Sequence, residues 1–497
     1  MIDCVARHAC ALILVVVAGL AGNWWDVAPR LEGKDWTTDA ITRSQSNSTS
    51  QTISPGDDVQ ARVDATPAGT TFLLTTGVHR MHSIVPKDGD VFVGEPGAVL
   101  SGARLLTTAG RAGSYWVVAN QTQEGVRRGT PADGACRSSA PRCGYPEDVF
   151  IDDVPLEHVS TLAEMGPGKW YFDYGVNQIY LSDDPTGKKL ETSVTAKAFR
   201  GAASRVTIRN LIIEKYASPT QEATVELGSE WVIEDCEVRL NHFAGIGSGP
   251  RSIARRNHVH HNGAVGFQGA GEDILVAGNE IAYNGFANYN PFWGSGGAKW
   301  VWTARLVVQD NFSHHNSGPG LWTDVNNIYT TYERNRVEDN ERGGILHEIS
   351  YDATIRENSV RRNGTGREWP HWTTGAGIEI ISSRNVEVYG NTVEDNWQGI
   401  TALNDYRGVG NAGPWVVTNL NVHHNAIRSL VIEDGVGRTG LIDMKGTAAF
   451  LPEANNRFRQ NTYSLGSKRT YFLWMGKELD DVEWRQYQQD LVGTFLR

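Results

Sequence analysis

The chain has 497 residues with 46 basic and 57 acidic side chains, which gives a formal net charge of −11. An acidic chain lacks the broad basic face that nucleic-acid binding needs, so nucleic acid is excluded as an expected partner. Charged residues make up 21% and apolar residues 40%, so the chain can bury a large core and is not disordered. The 54 glycines and 16 tryptophans favour an all-β protein with many turns.

The N-terminal segment resembles an export signal in composition. An apolar stretch at 9–21 follows Arg7 and has the length of the hydrophobic region of a signal peptide. We expect residues 1–22 to be a signal peptide, or an uncleaved anchor because Asp3 offsets the charge of Arg7. Residues 23–54 are polar and predict a Ser/Thr-rich linker. The protein is therefore expected to be secreted or in the cell envelope.

The remaining cysteines agree with an oxidising compartment. Cys136 and Cys143 flank a short loop, CRSSAPRC, and we expect a local disulfide between them, with two free thiols as the alternative. Cys236 lies in an alternating apolar stretch, which favours a buried free thiol that packs as a small hydrophobic side chain.

An internal repeat decides the architecture. The unit Asn-x-Val/Ile-x-x-Asn recurs as NHVHHN, NEIAYN, NRVEDN, NSVRRN and NTVEDN. A unit near 22 residues fits one turn of a solenoid, in which stacked asparagines form a hydrogen-bonded ladder. The repeat predicts an all-β, right-handed parallel β-helix of about ten coils. Its closing asparagines are Asn241, Asn262, Asn284, Asn316, Asn340, Asn363, Asn396 and Asn425.

These repeats resemble the pectin-lyase-like superfamily of right-handed parallel β-helix proteins over residues 54–497. PGDDVQARVDATPAGTTFLLTTGVHR is similar to the capping helix and first strand of that family, and WRQYQQDLVGT to its closing segment. The resemblance implies a carbohydrate-active type of β-helix, but the superfamily includes lyases, hydrolases, epimerases, adhesins and phage spikes. The expected divisions are a cap with first coils at 55–105, a β insertion at 106–199, the repeats at 200–470 and a closing segment at 471–497.

One outer face of the predicted β-helix collects charged side chains. The coils align on a repeated glycine, and equivalent residues on neighbouring coils lie about 4.8 Å apart. Two or four residues after this glycine, successive coils carry Lys299, Asp324, Glu348 and Glu379. We interpret them as the catalytic floor of a groove, although solvated surface carboxylates and an ordinary Lys299–Asp324 pair are the simpler alternative.

Aromatic residues on three longer intervals favour a sugar-binding groove around that floor. FANYNPFWGS and TGREWPHWTT precede strands at the same turn, and NDYRGVGNAGPW follows a strand on the other side. Aromatic rings on polar loops suit the apolar faces of sugar rings. The predicted substrate-binding residues are Trp293, Trp300, Trp322, Trp369, Trp372, Tyr406 and Gln268.

Paired carboxylates on such a floor can hydrolyse a glycosidic bond without a cofactor. Neighbouring coils would give the retaining spacing to Asp324 with Glu348 or Glu348 with Glu379, and Asp324 with Glu379 would approach the inverting spacing. Glu348 is the candidate general acid because flanking acids should raise its pKa, while Lys299 should keep Asp324 ionised.

Two other functions use the same residues. In a Ca²⁺-dependent polysaccharide lyase, Lys299 would be the base and Asp324, Glu348 and Glu379 the metal ligands. In a glycan-binding surface protein, the aromatic groove would bind without chemistry. In each case we expect a polysaccharide or oligosaccharide partner, no protein partner and a monomer.

Histidines next to the ladder suggest a metal site that the spacing disfavours. His260–His261, His314–His315 and His423–His424 precede ladder positions, but the first two pairs are two coils apart. Zinc ligands must meet within about 2.1 Å of one point, so we expect solvated turn histidines. By strand alternation His347 points inward, which favours a satisfied core residue.

Overall fold

The computed structural model describes residues 49–107, 109–366, 373–429, 436–466 and 470–497. The predicted signal peptide and nearly all of the linker lie outside these residues. Three long sheets dominate the described chain, and almost every strand in them pairs in parallel with the strand one coil further along. In the described residues, no helix is long and apolar enough to cross a membrane.

The coils stack their strands in a fixed order, so each sheet takes one strand from each successive coil. The first sheet contains Ser50–Ile53, Thr71–Leu74, Val91–Gly94, Thr207–Arg209, Val232–Glu234, Ile253–Arg255, Leu275–Ala277, Val307–Gln309, Thr330–Glu333, Tyr351–Arg356, Arg384–Tyr389, Asn421–His423 and Arg457–Arg459. The second contains Gly77–Arg80, Ala98–Ser101, Ile212–Glu214, Glu237–Arg239, His258–His260, Glu280–Ala282, Phe312–His314, Arg336–Glu338, Ser359–Arg361, Thr392–Glu394, Ala426–Arg428, Thr462–Ser464 and Thr494–Leu496. The third contains Ala223–Glu226, Ala244–Ser248, Val265–Glu272, Gly296–Ala304, Leu321–Asp324, Ile345–Glu348, Ala376–Ile381, Gln398–Asn404, Thr439–Asp443, Phe472–Trp474 and the antiparallel Lys477–Leu479.

These sheets enclose one continuous apolar core that runs from Ile53 to Trp484. Strand residues alternate between the core and the outside, as in Glu237–Arg239, whose central Val238 is fully buried. Two sheets have 13 strands each in the described residues, so the β-helix is longer than the predicted ten coils. Cys236 is a buried free thiol, as predicted.

The predicted asparagine ladder is present at the turn between the second and third sheets. Each side-chain amide donates to the amide oxygen one coil further along, as from Asn284 to Asn316 at 2.9 Å and from Asn316 to Asn340 at 2.9 Å. A second ladder joins the opening asparagines of the repeat. Asn425 accepts from Asn391 in this second ladder, so its assignment to the closing positions was wrong. The sequence around Asn425 departs from the strict repeat, so an asparagine of the opening ladder was assigned there to a closing position.

The chain leaves the β-helix after Ser101 and returns to its core at Phe199, which bridges Ile84 and Val225. The next regular strand begins at Thr207, which pairs directly with Val91. Between Ser101 and Phe199, two small sheets pack around their own apolar cluster. One contains Ala103–Leu105, Val149–Ile151, Val154–Pro155 and Leu190–Ser193, and the other Gly110–Ala112, Tyr115–Val118, Glu157–His158, Lys169–Asp173 and Gln178–Leu181. A 3₁₀ helix covers Leu162–Glu164, and the predicted Cys136–Cys143 disulfide is formed.

Short helices lie at both ends of the β-helix. The helix Val59–Ala65 is capped at its N-terminus by Asp58, whose carboxylate accepts a hydrogen bond from the backbone N–H of Ala61. Asp481–Gln486 begins with a capping box formed by Asp480 and Glu483. The other described elements are the 3₁₀ helices Ala448–Phe450 and Pro452–Ala454 and the small hairpin of Val409–Gly410 with Gly413–Pro414.

Candidate active site on the third sheet

The third sheet places the predicted residues in two outward columns. Gln268, Lys299, Trp322, Leu346, Glu379 and Thr401 are consecutive register partners, which we call the first column. Asp324, Glu348, Ile381 and Leu403 form the second column, two residues further along their strands. The glycine alignment therefore predicted the register of this face.

The acidic side chains of these columns are covered by loops. Asp324 is 7% exposed, Glu348 6% and Glu379 2%. An outward side chain on a bare sheet would be solvated, so the alternative of solvated surface carboxylates does not hold for these three residues. The acids instead lie beneath the loops that precede and follow the strands, which makes every unpaired charge here costly.

Lys299 and Asp324 form the first ion pair of the site. Lys299 Nζ lies 2.9 Å from Asp324 Oδ2, donates to the backbone carbonyl of Trp293 at 2.6 Å, and lies 3.8 Å from the ring centroid of Trp322. All three partners are electron-rich, so they fix the Lys299 amine in this position. Asp324 Oδ1 is buried without a hydrogen-bond partner.

Glu348 is held by arginines that the sequence analysis did not select. Arg407 Nη1 donates to Glu348 Oε1 at 2.8 Å and lies 3.5 Å from Asp405. Arg342 is 5% exposed, and its guanidinium lies 4.5 Å from the ring centroid of Phe292 and 5.4 Å from that of Trp322. Both arginines were visible in the sequence, Arg342 just before a repeat glycine and Arg407 in the third long loop. Neither arginine belongs to the acidic columns or to the aromatic set, so neither pattern pointed to it.

The electrostatics reverse the expected roles of the acids. Burial raises the pKa of Glu348, but Arg407, Arg342 and Lys299 outweigh it and the pKa lies below its usual range. The prediction that flanking acids raise the pKa of Glu348 was therefore wrong. Burial, reinforced by Glu348, raises the pKa of Asp324 despite Lys299, so the expectation for Asp324 was also wrong.

Glu379 is the third acid of this face with a shifted pKa. Burial raises its pKa to about 7, and Arg342 opposes that shift only in part. Glu379 Oε1 and Trp322 Nε1 are buried without hydrogen-bond partners, like Asp324 Oδ1. Because buried polar atoms are normally paired, these three atoms indicate a place for a polar ligand.

The strand register gives separations between the acids that differ from those predicted by counting coils. Asp324 and Glu348 are direct partners on adjacent strands, which is the arrangement for which the retaining spacing was predicted. Glu379 is the partner of Leu346 and therefore lies diagonally from Glu348. The predicted neighbour spacing of Glu348 with Glu379 was wrong, because Glu379 is in the other column.

The predicted aromatic residues divide into several environments. Trp300 is fully buried in the interior, where it packs near Phe267, so its assignment to the groove was wrong. Strand alternation explains this, since Trp300 follows the outward Lys299 directly. Trp322 faces outward but is 2% exposed. Trp369 and Trp372 lie outside the described residues.

Three predicted contacts lie around the charged face and are partly exposed. Trp293 packs against Tyr289 and Phe243. Tyr406 donates to Asp443 at 2.8 Å, and Gln268 donates to the backbone of Gln221 at 2.9 Å. These contacts hold Trp293 and Tyr406 in place in the loops beside the acids.

The disulfide loop of the insertion supports the first of these loops. Cys136 forms an isolated β-bridge with Tyr289, and Arg137 donates to both carboxylate oxygens of Glu341 at 2.6 and 2.8 Å. Cys136, Cys143 and Tyr289 share one buried cluster, against which Trp293 packs. The insertion thereby helps to position the Trp293 carbonyl that accepts from Lys299.

A calcium site does not fit the acids of this face. Lys299 pairs with Asp324 and Arg407 with Glu348, and Arg342 lies near enough to shift the pKa of Glu379. Fixed cations in these positions repel a divalent ion. Across the described residues, Asp324, Glu348 and Glu379 do not form a group with ligand atoms close enough to share a metal.

His347 is a core residue, as its inward position predicted. It is fully buried, and its ring nitrogens contact the Thr323 hydroxyl at 2.8 Å and the Tyr351 carbonyl at 3.2 Å. Burial lowers the pKa of His347 to about 4. It supports the strand that carries Glu348 and remains neutral at physiological pH.

Comparisons with known proteins agree on the fold. A family model described as right handed beta helix region matches residues 223–392. A solved structure of XylC with xylose is 13% identical, with a TM-score of 0.67 and coverage of 88% of this chain and 82% of that chain. This chain is a right-handed parallel β-helix protein.

Two other solved structures match with lower TM-scores. The A-module of the Azotobacter vinelandii mannuronan C-5 epimerase AlgE6 is 14% identical, with a TM-score of 0.49 and coverage of 88% and 94%. A mannuronic acid specific polysaccharide family 6 lyase from human gut microbiota is 11% identical, with a TM-score of 0.48 and coverage of 85% and 87%. No curated protein matches this sequence. At 13% identity, the similarity to the XylC structure shows the fold alone.

Proposed function

We propose that this protein is a glycoside hydrolase of the retaining type, with Asp324 and Glu348 as its catalytic pair. The observation that carries the proposal is their direct register across adjacent strands, with both carboxylates outward and buried. Retaining enzymes use two carboxyl groups about 5–5.5 Å apart, close to the spacing of neighbouring strands.

The protonation of this pair suits that chemistry. A retaining enzyme needs one protonated acid to donate to the leaving oxygen and one ionised carboxylate to attack the anomeric carbon. The pKa of Asp324 is raised by burial, and the arginines lower that of Glu348, so the pair holds its proton unequally. Lys299 and Arg407 would stabilise the negative charge that moves between the two groups.

The surrounding groups support a sugar as the ligand. Glu379 Oε1 and Trp322 Nε1 are free to hydrogen bond with hydroxyl groups, while the Trp293 and Tyr406 side chains lie in the flanking loops. The burial of all three acids favours a site that takes the end of a glycan chain. XylC, which shares the fold, was solved with xylose, so aryl xylosides belong among the first substrates to test.

The direct test combines a glycan and aryl-glycoside panel with product analysis. The proposal expects new reducing ends, retained anomeric configuration by NMR, and release of single sugars. Asp324→Asn and Glu348→Gln should each lower kcat by about 10³-fold, while the exposed control Asp310→Asn should not. Inverted product, or full activity in either site variant, would overturn the proposal.

Azide can then assign the two roles. With an activated aryl glycoside, azide should rescue both variants. The variant that lacks the nucleophile should yield an azide of inverted configuration, and the variant that lacks the acid an azide of retained configuration. If azide rescues neither variant, these residues are not the catalytic pair.

The same panel separates the other two functions. Unsaturated uronate products that disappear with chelator and with Lys299→Ala would indicate a lyase instead. That hypothesis is disfavoured because Lys299 Nζ is already engaged by Asp324, the Trp293 carbonyl and the Trp322 ring. Binding without any product would indicate a glycan-binding protein.

Export remains part of this proposal. It is supported by the apolar stretch at 9–21 and by the Cys136–Cys143 disulfide, since disulfides persist in oxidising compartments. Fractionation of cells with N-terminal sequencing should find the protein outside the cytoplasm. A cytoplasmic protein with an intact N-terminus would contradict export.

A further inference from the structure

A second group of potential ligands lies on the outer face of the second sheet, away from the acids of the third sheet. Among the described residues, Glu237, His258 and His260 are the one group of three or more acidic, histidine or cysteine side chains that could share a metal ion. Their ligand atoms all lie within 4.8 Å of one another.

The strand geometry brings these three side chains together. His258 and His260 are two residues apart on one strand around the buried Val259, so both point outward, and their rings stack with centroids 3.9 Å apart. Glu237 is the register partner of His258 on the adjacent strand, and its Oε1 lies 3.1 Å from His260 Nε2. The spacing that separates the turn histidine pairs does not apply here, because these ligands are on adjacent strands.

We propose that Glu237, His258 and His260 bind a divalent transition-metal ion of the Zn²⁺ class. Two imidazoles and one carboxylate are the ligands that such ions accept, at about 2.0–2.2 Å, with water completing the shell.

Neighbouring polar groups either compete with a metal ion for these ligands or hold the ligands in place. Arg239 donates to Glu237 Oε1 at 2.6 Å, and an ion would displace it toward Glu214, which it already contacts at 2.8 Å. Glu280 Oε2 lies 3.9 Å from His258 Nε2, which is too far for a hydrogen bond but close enough for this carboxylate to approach the ion. His260 Nδ1 lies 2.7 Å from His261 Nδ1, which holds the orientation of the His260 ring.

A later coil provides an internal comparison. His423 Nε2 lies 3.1 Å from Glu387 Oε1, and His423 Nδ1 lies 2.7 Å from His424 Nδ1, which are the distances found at His260. The register partner of Glu387 is Asn421, where the first site has His258. The later coil therefore has two of the three ligands, on the first sheet.

The experiment uses the full chain, stripped with chelator and carrying no affinity tag, with ZnCl₂ as the probe. Calorimetry and metal analysis after gel filtration should find one Zn²⁺ per chain. His258→Asn, which introduces the residue used by the later coil, and Glu237→Gln should each weaken binding at least tenfold. His423→Asn should leave it unchanged.

Asn421→His gives the opposite test, because it should raise the stoichiometry to two Zn²⁺ per chain. Circular dichroism at each step establishes that the variants are folded. Absence of zinc binding in the wild type, or unchanged binding in folded His258→Asn, would overturn the proposal. Activity on glycosides does not enter this test, so the two proposals can fail separately.

Discussion

Ion pairs at the turns between the first and second sheets differ sharply from those on the third sheet. Arg256 donates through Nε and Nη2 to both oxygens of Asp235, and Arg334 does the same with Asp310. The Arg334 and Asp310 side chains are 43% and 47% exposed. On the third sheet, Asp324 is buried and has an oxygen with no partner. Both oxygens of each turn aspartate are paired, and these pairs are exposed to solvent, whereas the Asp324 pair on the third sheet is buried and incompletely paired.

This difference indicates what each set of charges does. An exposed bidentate pair holds neighbouring coils together at little cost. A buried acid with an incomplete shell costs stability, and a protein retains it where a ligand or a reaction completes the shell. The contrast therefore separates structural charges from functional ones on a molecule that has charged residues on every face.

Removing the partner of a buried acid should break the third-sheet network most severely. Arg407→Met keeps the apolar stem but leaves Glu348 buried without its closest cation, so we expect a loss of about 4 kcal/mol in the free energy of unfolding. Arg334→Met, the exposed control, should lose under about 1 kcal/mol. Denaturant unfolding measures both, and the double variant Arg407→Met with Glu348→Gln should recover most of the loss. Equal losses at the two arginines would contradict the comparison.

Neutralising Glu379 should stabilise the protein in a pH-dependent way. Its pKa is raised from 4.5 to about 7, so the folded state binds the proton more tightly and stability falls as pH rises between these values. Glu379→Gln should gain about 3 kcal/mol at about pH 8 and almost nothing at about pH 4. Thermal unfolding at the two values measures this, with the exposed Glu357→Gln as control. A gain that is the same at both values would show that the pKa of Glu379 is not raised.

The smallest effect is expected at the turn pairs. Asp235→Asn keeps a residue that tolerates the left-handed backbone found there, φ 55°, but removes one charge of the Arg256 pair. The loss should stay under about 1 kcal/mol and disappear in high salt, because exposed pairs are screened. Unfolding in low and high salt checks this, and a large loss that does not depend on salt would place this pair with the third-sheet network.

Local sequence rules predicted the fold and much of the charged face. The asparagine motif gave the ladder because each buried amide must bond to the next coil, as Asn284 does with Asn316. The glycine alignment gave the register of Lys299 with Trp322 and of Asp324 with Glu348, because strand alternation is strict.

The rest depended on residues that are distant in sequence. Arg407 fixes the pKa of Glu348 from 59 positions away, through a loop whose path the repeat does not determine. Burial of the acids also comes from loops, so the sequence could not show that this face is covered. Strand alternation alone predicts that Trp300 points inward. It was instead grouped with the aromatic residues of the groove that surround it in the sequence.

The excursion of the chain between Ser101 and Thr207 has a consequence for the order of folding. Later coils join strands only 21 to 39 residues apart, whereas the pairing of Val91 with Thr207 must close a loop of more than a hundred residues. That closure costs about 1.5 kcal/mol more in chain entropy. Coils after Thr207 should nucleate first, and those before Ser101 should attach last and fray first. Hydrogen exchange would then be fastest at the end of the rod where the chain begins.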